Sequence, residues 1–202
     1  TMLKAHNNGL PILATVAPRG DSYVCPRCLT PVILRRGRLV SAHFAHASGS
    51  NCAWGANETQ WHMAAKLAMR DALLARSIQA DVEVEVASLP GDRRADVLAV
   101  SPSHRRVAIE FQHTNLTIEA IEERARSYAH EEIAQLWLPF IAPAALQRVE
   151  WSEDGQLGTV TAWQPPSYVL WISDFQGFLW LIDRGGRYWQ AEIADHIIFE
   201  PD

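Results

Sequence analysis

The 202-residue sequence contains no apolar run approaching the roughly 20 residues that cross a bilayer. Its N-terminus lacks the charged-then-apolar pattern of a secretory signal, so a cytoplasmic protein without membrane attachment is expected. Cysteine is scarce. Three residues, an odd number, argue against the disulfide framework of a small secreted domain. Positive charge is not in excess either, and a net charge of −5 gives no overall field that advertises a nucleic-acid binder. Internal repeats and low-complexity tracts are missing as well.

What is present is ordinary for a globular chain: 48% apolar and 20% charged residues, over a length sufficient for one domain plus a lobe. Basic residues are grouped locally at Arg35, Arg36 and Arg38, at Arg93 and Arg94, and at Arg105 and Arg106. Such groups ordinarily form a solvated face. Residues 20–55 are rich in Cys, His, Gly and Ser, with short strand-like runs. From Asn57, a good N-cap, to Arg76, apolar residues recur near helical spacing. "DVEVEVA" alternates at period two and reads as a strand. Two further strands follow in "RRADVLAVSPSHRRVAIEFQHT". Thr117 can cap a helix over "IEAIEERARSYAHEE", and "IAQLWLPF" supplies a short buried strand. The order helix, three strands, helix, strand predicts a mixed sheet with helices packed on it. Beyond residue 140, "YVLWIS", "GFLWLI" and "RYWQAEI" read as strands, the last two joined as a hairpin through Asp183-Arg184-Gly185-Gly186. Three units are expected: a lobe over 1–55, a core over 56–140 and a Trp-rich β extension over 141–202.

If "SPSH" is a turn centred near Ser103, Asp96 lies opposite Glu110, and Gln112 shares the face of Glu110. Val107, Ile109 and Phe111 then point into the core. Two like charges so placed repel, and both lose hydration, so something must compensate. Mg²⁺ or Mn²⁺ suits two carboxylates. Protonation of one acid, or pairing with Arg93 or Arg94, is the simpler alternative. On the preceding helix Glu58, His62 and Lys66 recur at i, i+4 and i+8, so Glu58 and His62 can offer further ligands; otherwise the stripe faces solvent. Lys66 is the least suited of the three to a metal. Glu85 is a further candidate for the shell.

Cys25-x-x-Cys28 opens a second set of candidate ligands with His43, His46 and Cys52. Tetrahedral structural zinc needs four, and we favour Cys25, Cys28, His46 and Cys52, with His43 as the alternative. A redox C-x-x-C is the other reading, but no thioredoxin-like βαβ unit surrounds it.

The strings "CPRC", "HFAH", "ETQWHMAAK", "RRADV" and "IEFQHT", in this order, resemble the CoiA family of competence-related nucleases within the PD-(D/E)XK superfamily. The resemblance runs from about Tyr23 to Leu138. It implies a restriction-endonuclease-like αβββαβ core with an N-terminal zinc-ribbon-like lobe and a C-terminal β extension. It implies metal ligation by Asp96 and Glu110, with Gln112 where the superfamily most often has a lysine. An amide orients water but supplies no positive charge. Glu58 matches the acid of the first helix, and His62 resembles the extra metal-binding histidine of helicase-associated nuclease domains. Arg124 and Tyr128 fall where a phosphate contact is expected, although burial suits Tyr128 equally; Arg93 and Arg94 are further candidates for nucleic-acid contact. The implied activity is Mg²⁺- or Mn²⁺-dependent hydrolysis of nucleic acid, with DNA the expected polymer. The alternative is a non-catalytic DNA-binding or recombination factor that retains the fold. Transformation, recombination and defence against foreign DNA all fit, as does a homo-oligomer or a protein partner.

Five of the eight tryptophans lie at or after Trp151. Trp171, Trp180 and Trp189 are expected in the core of the C-terminal extension, with stacking on unpaired bases as the alternative. His104, His113, His130 and His196 form no partner pattern, and His113 faces away from Gln112 if its strand continues.

Overall fold

The computed structural model describes residues 1–38, 40–52, 54, 58–89, 91–153, 157–160 and 163–193. Asn57, expected to cap the first helix, and His196 lie outside the described residues.

Short strands open the chain: β1 (Lys4–Asn7), β2 (Leu10–Leu13), β3 (Tyr23–Val24), β4 (Pro31–Arg35) and β5 (His43–His46). They form one antiparallel sheet in the order β2-β1-β3-β4-β5. Its small core is built from Met2, Ala5, Tyr23, Val32 and Phe44. Helix α1 (Gln60–Leu74) follows, capped by Thr59, whose hydroxyl accepts the His62 N–H at 3.3 Å.

The middle of the chain has the expected order. Strands β6 (Gln79–Val86), β7 (Arg93–Val100) and β8 (Arg106–Gln112) make an antiparallel meander. Helix α2 (Ile118–His130), capped by Thr117, then crosses to β9 (Ala134–Pro139), which pairs parallel with β8. The result is a mixed four-stranded sheet, β6-β7-β8-β9. The β7–β8 pairing is the one read from the sequence, with Val97 opposite Ile109 and Ala99 opposite Val107.

Each face of this sheet buries a different apolar set. Val82, Val97, Ile109, Phe111 and Leu138 pack against Met63 and Ala65 of α1, joined by Leu3 from the N-terminus and Ile182 from the C-terminal region. Val86, Ala95 and Ala108 pack with Tyr128 of α2 and with Ile133. Strict alternation would put Val82 and Val86 on one face. They lie in different cores because Glu83, between them, has a φ of +51° in the left-handed region, which re-phases the strand. On the partner strand, Ala95 and Val97 also fall in different cores, on either side of Asp96.

The remaining elements are α3 (Pro143–Leu146), β10 (Glu150–Trp151), β11 (Gly158–Thr159), α4 (Ser167–Gln176), β12 (Leu179–Ile182) and β13 (Tyr188–Ala191). The expected hairpin joins β12 and β13, and Asp183 Oδ1 accepts the N–H groups of Gly185 and Arg187 in its turn at 2.8 and 3.0 Å. "YVLWIS", expected as a strand, is instead the body of α4. Its β-branched and aromatic residues favour a strand locally. However, Tyr168, Val169 and Ile172 share a helical face that packs on Ile121 and Trp137, and tertiary burial decides the matter. Trp171 and Trp189 pack against the same core, whereas Trp180 faces outward; the fully buried tryptophan is Trp137.

Helix α4 ends at Gly177, whose φ of +72° is left-handed and whose N–H donates to Ser173 O at 2.9 Å. The space around its Cα is open. Gly177→Ala should therefore cost about 1 kcal/mol, all of it conformational, read as a lower urea midpoint with an unchanged slope.

Candidate functional site

The β7–β8 ladder stops at Val97–Ile109. Beyond that point the side chain of Asp96 takes over as acceptor, receiving the Phe111 N–H on Oδ2 at 2.9 Å. The same oxygen lies 3.1 Å from Nε2 of His62, one turn into α1. Asp96, Glu110 and Gln112 are 8%, 2% and 5% exposed, so the strands do aim them into a buried hollow. The three are held differently. Glu110 accepts the Tyr128 hydroxyl at 2.5 Å and Nη1 of Arg124 at 3.1 Å, both from α2. Gln112 turns its amide toward Thr114, donating to its carbonyl and, at 3.2 Å, to its hydroxyl.

Two residues at the centre of the cluster were given little weight in the sequence. Lys66, read as the weakest member of its stripe, is completely buried. Its ammonium donates to Oε1 of Glu58 and to Oε1 of Glu83 (2.7 Å), and lies 3.8 Å from Oδ1 of Asp96. Glu83 was hidden by the alternation of "DVEVEVA", in which it shares a face with Glu85. Glu85, the candidate ligand, is exposed, and Glu83 is the buried acid. Oε2 of Glu83 receives the N–H groups of Leu3 and Lys4 at 2.9 and 3.2 Å, which ties the start of the chain to the site. A lysine two turns along from an acid was the available signal for Lys66; nothing local marked the left-handed Glu83. His113 was also passed over. Its ring packs 4.4 Å from that of His62 and 5.2 Å from that of Trp61, because the strand ends at Gln112 and the chain turns.

The cluster lines a cleft of about 470 Å³ with Trp54, Arg93, Arg94 and Arg124 at its walls. Arg94 is the innermost, 3.8 Å from Glu58 and 3.9 Å from Glu83, with its guanidinium over the Trp54 ring. Arg93 pairs with Glu123 at 2.5 Å and donates to Ser127. Arg124 keeps about a third of its side chain exposed, whereas Tyr128 is fully buried.

These contacts shift the titrations. Burial alone would lower His62, but the Asp96 charge and hydrogen bond, with help from Glu58, raise it to about 9. Burial, with repulsion from Asp96, pushes Glu110 up to about 7 against the pull of Arg124 and Tyr128. Burial would likewise raise Glu58 and Asp96, yet His62 and Lys66 hold both low, Glu58 at about 2. Lys66 is raised, its burial outweighed by the charges of Glu83, Asp96 and Glu58.

The donor set fits a hard divalent cation. Among the described residues, Oε2 of Glu58 is a buried atom without a hydrogen-bond partner, and Nδ1 of His62 lies 3.2 Å from Oε1 of the same carboxylate. Glu58, His62 and Asp96 each bring one ligand atom within 4.8 Å of the others'.

A second cluster lies in the N-terminal sheet. Cys25, Cys28, His46 and Cys52 bring four donor atoms within 4.8 Å, with Cys25 and Cys52 sulfurs 3.9 Å apart and Cys28 Sγ 3.3 Å from Nε2 of His46. A knuckle creates the C-x-x-C geometry: Leu29 at φ +58° donates its N–H to Cys25 O, and Cys25 N–H returns to Thr30 O. Hydrogen bonds from Thr30, then His46, lower Cys28 to about 6, while burial raises Cys25 to about 11. His43 is buried outside this group, with Nδ1 donating to Ser41 O at 2.9 Å. Thiolates and an imidazole in this number suit tetrahedral zinc.

A pH profile follows. His62 titrates above its ordinary 6.5, so its stabilisation is complete below that value and gone once pH passes about 9. Glu110, held protonated to about 7, costs stability as pH climbs from its ordinary 4.5. The depressed Glu58 and Asp96 act oppositely and lose stabilisation only on acidification below about 4. Without added divalent ions, the melting temperature should be highest near pH 5–6 and fall by several degrees toward pH 9, at about 2–4 °C per kcal/mol. A flat or rising melting profile would contradict this network.

No helix among the described residues is long and apolar enough to cross a membrane. No match was found among curated proteins. One solved structure, of a protein of unknown function (AF1548), is similar over 61% of this chain at 14% identity and a TM-score of 0.31, too low to carry an argument; this chain spans about 58% of it. Residues 58–151 match the family described as "Competence protein CoiA, nuclease-like domain", and residues 13–55 match "Competence protein CoiA, N-terminal domain". With the αβββαβ order and the acid cluster falling inside the first match, the chain belongs to the CoiA family.

Proposed function

We propose that the chain is a metal-dependent nuclease that hydrolyses phosphodiester bonds of nucleic acid, with DNA as the polymer. The observation that carries this reading is the meeting of Asp96, His62 and Glu58 within 4.8 Å on the wall of a cleft that three arginines flank. Asp96, His62 and Glu58 would hold Mg²⁺ or Mn²⁺, with Glu110 closing the shell once it turns from Tyr128. Such an ion polarises the scissile phosphate and lowers the pKa of a bound water toward neutrality. Phe111 N–H and His62 fix the Asp96 carboxylate, so its orientation is set before substrate arrives. Arg124, part-exposed, reaches the phosphate, and Arg93 and Arg94 carry the strand along the cleft wall. Tyr128 acts behind Glu110, bracing it. Gln112 orients water.

Cys25, Cys28, His46 and Cys52 would hold structural zinc, a closed set that leaves no open position for a substrate. Elemental analysis should find one zinc per chain, lost in Cys28→Ser together with a lower melting temperature. Full melting stability without zinc would remove the assignment.

One observation favours a second reading, that of a binding or assembly factor with no hydrolytic step. The acids Glu58, Glu83, Asp96 and Glu110 already face Lys66, Arg94, Arg124 and a protonated His62, so each has a cationic partner without a metal. Cleavage of single- and double-stranded DNA and RNA with Mg²⁺ or Mn²⁺ decides between them. On the first reading, Asp96→Ala abolishes cutting, a loss on the order of a thousandfold, equivalent to several kcal/mol of lost metal catalysis. Cutting retained by Asp96→Ala, or none by the wild type with binding intact, would overturn it.

A further inference from the structure

The count of free carboxylate oxygens limits what the site can hold. Both oxygens of Glu83 are spent, Oε1 on Lys66 and Oε2 on the N–H groups of Leu3 and Lys4. Glu110 holds Arg124 with Oε2 and has only Oε1, now accepting the Tyr128 hydroxyl, to give up to a single shell. Glu58 gives Oε1 to Lys66 and keeps Oε2, and Asp96 gives Oδ2 to Phe111 N–H and His62 and keeps Oδ1. Water and substrate phosphate can complete the shells of hard cations, but two of them about 3.5–4 Å apart still need carboxylate oxygens for both, and Oε2 of Glu58 and Oδ1 of Asp96 are the ones left over. Two such cations would also add four charges beside Lys66 and Arg94, which no water can reach to screen in the case of Lys66.

We propose that Lys66 is a built-in second cation: its ammonium fills the space among Glu58, Glu83 and Asp96 that a second divalent ion would otherwise take, so the site accepts one ion and no more. Lys66 is a positioning residue in this scheme. It is completely buried, touches no substrate, and holds Oε1 of Glu58 and of Glu83 together beside Oδ1 of Asp96. Glu83 is its anchor, not a metal ligand. The scheme rests on the metal-dependent reading above and adds to it the stoichiometry and the residue that sets it.

The test is a Mn²⁺ titration of zinc-loaded protein, followed by calorimetry and by electron paramagnetic resonance, which distinguishes an isolated Mn²⁺ from a spin-coupled pair. The wild type should bind one Mn²⁺ with no pair signal. Lys66→Gln frees Oε1 of Glu58 and of Glu83 and should bind two, with a pair signal. If Lys66→Gln folds only with Mn²⁺, two ions per folded chain support the scheme and one overturns it. Should it fold under no condition, the wild-type count decides. Two ions in the wild type, or an unchanged single ion in folded Lys66→Gln, would overturn the scheme while leaving the nuclease reading standing. A wild type that binds no Mn²⁺ overturns the metal-dependent reading itself.

Discussion

Everything around the cleft depends on an ammonium buried without water. Lys66 is completely enclosed, and an unpaired charge there would be intolerable. It persists because Glu58 and Glu83 receive it directly and Asp96 stands close by. The dependence is mutual. Three carboxylates crowded on one side of a sheet would repel, and the cation that joins them is what lets helix and strands approach. Met63 and Ala65, neighbours of Lys66 on α1, pack on the sheet through Val82, Val97 and Ile109. Burial of the helix and neutralisation of the acids are thus one event.

Glu83 shows how far the constraint reaches. A non-glycine residue in the left-handed region costs of order 1–3 kcal/mol and persists only where the surroundings over-determine it. Here they do: Lys66 holds one oxygen, and the backbone at Leu3 and Lys4 holds the other. The kink also sends Val82 and Val86 to opposite cores, so a single residue serves the charge network and the packing of both sheet faces. The N-terminal residues are therefore part of the same structure. Leu3 enters the core beside Phe111, Ser41 N–H donates to Gln60 on α1 at 2.7 Å, and the fourth member of the cysteine cluster, Cys52, precedes Glu58 by six residues.

At the other end, Ile182 of β12 packs on the α1 side of the sheet, while α4 closes over Trp137 of β9. Gln176 fastens this arrangement, accepting the Trp137 N–H at 2.5 Å and donating to its carbonyl. The edge strand of the sheet is thereby covered where its hydrogen-bonding groups would otherwise be open.

Much of this was legible in the residue order. Turn residues around Ser103 and the alternation of Val107, Ile109 and Phe111 set the hairpin pairing, because a one-residue slip would turn the apolar set outward. Thr117 announced its helix, and Cys25-x-x-Cys28 announced its knuckle, through local chemistry alone. What stayed hidden depends on neighbours distant in sequence. "YVLWIS" has strand-like composition and is helical because its burial partners, Ile121 and Trp137, lie on other elements. Glu83 and Glu85 are indistinguishable in a period-two pattern until a kink separates them. Lys66 resembles any solvent-facing lysine until Glu83 and Asp96 arrive from two strands. The sequence by itself determined which strands pair and that Glu110 and Gln112 share a face, since those follow from spacing and turn chemistry. Only the tertiary structure decided where the charges are neutralised, since the energy of a buried ion depends on the partners that folding brings within a few ångströms.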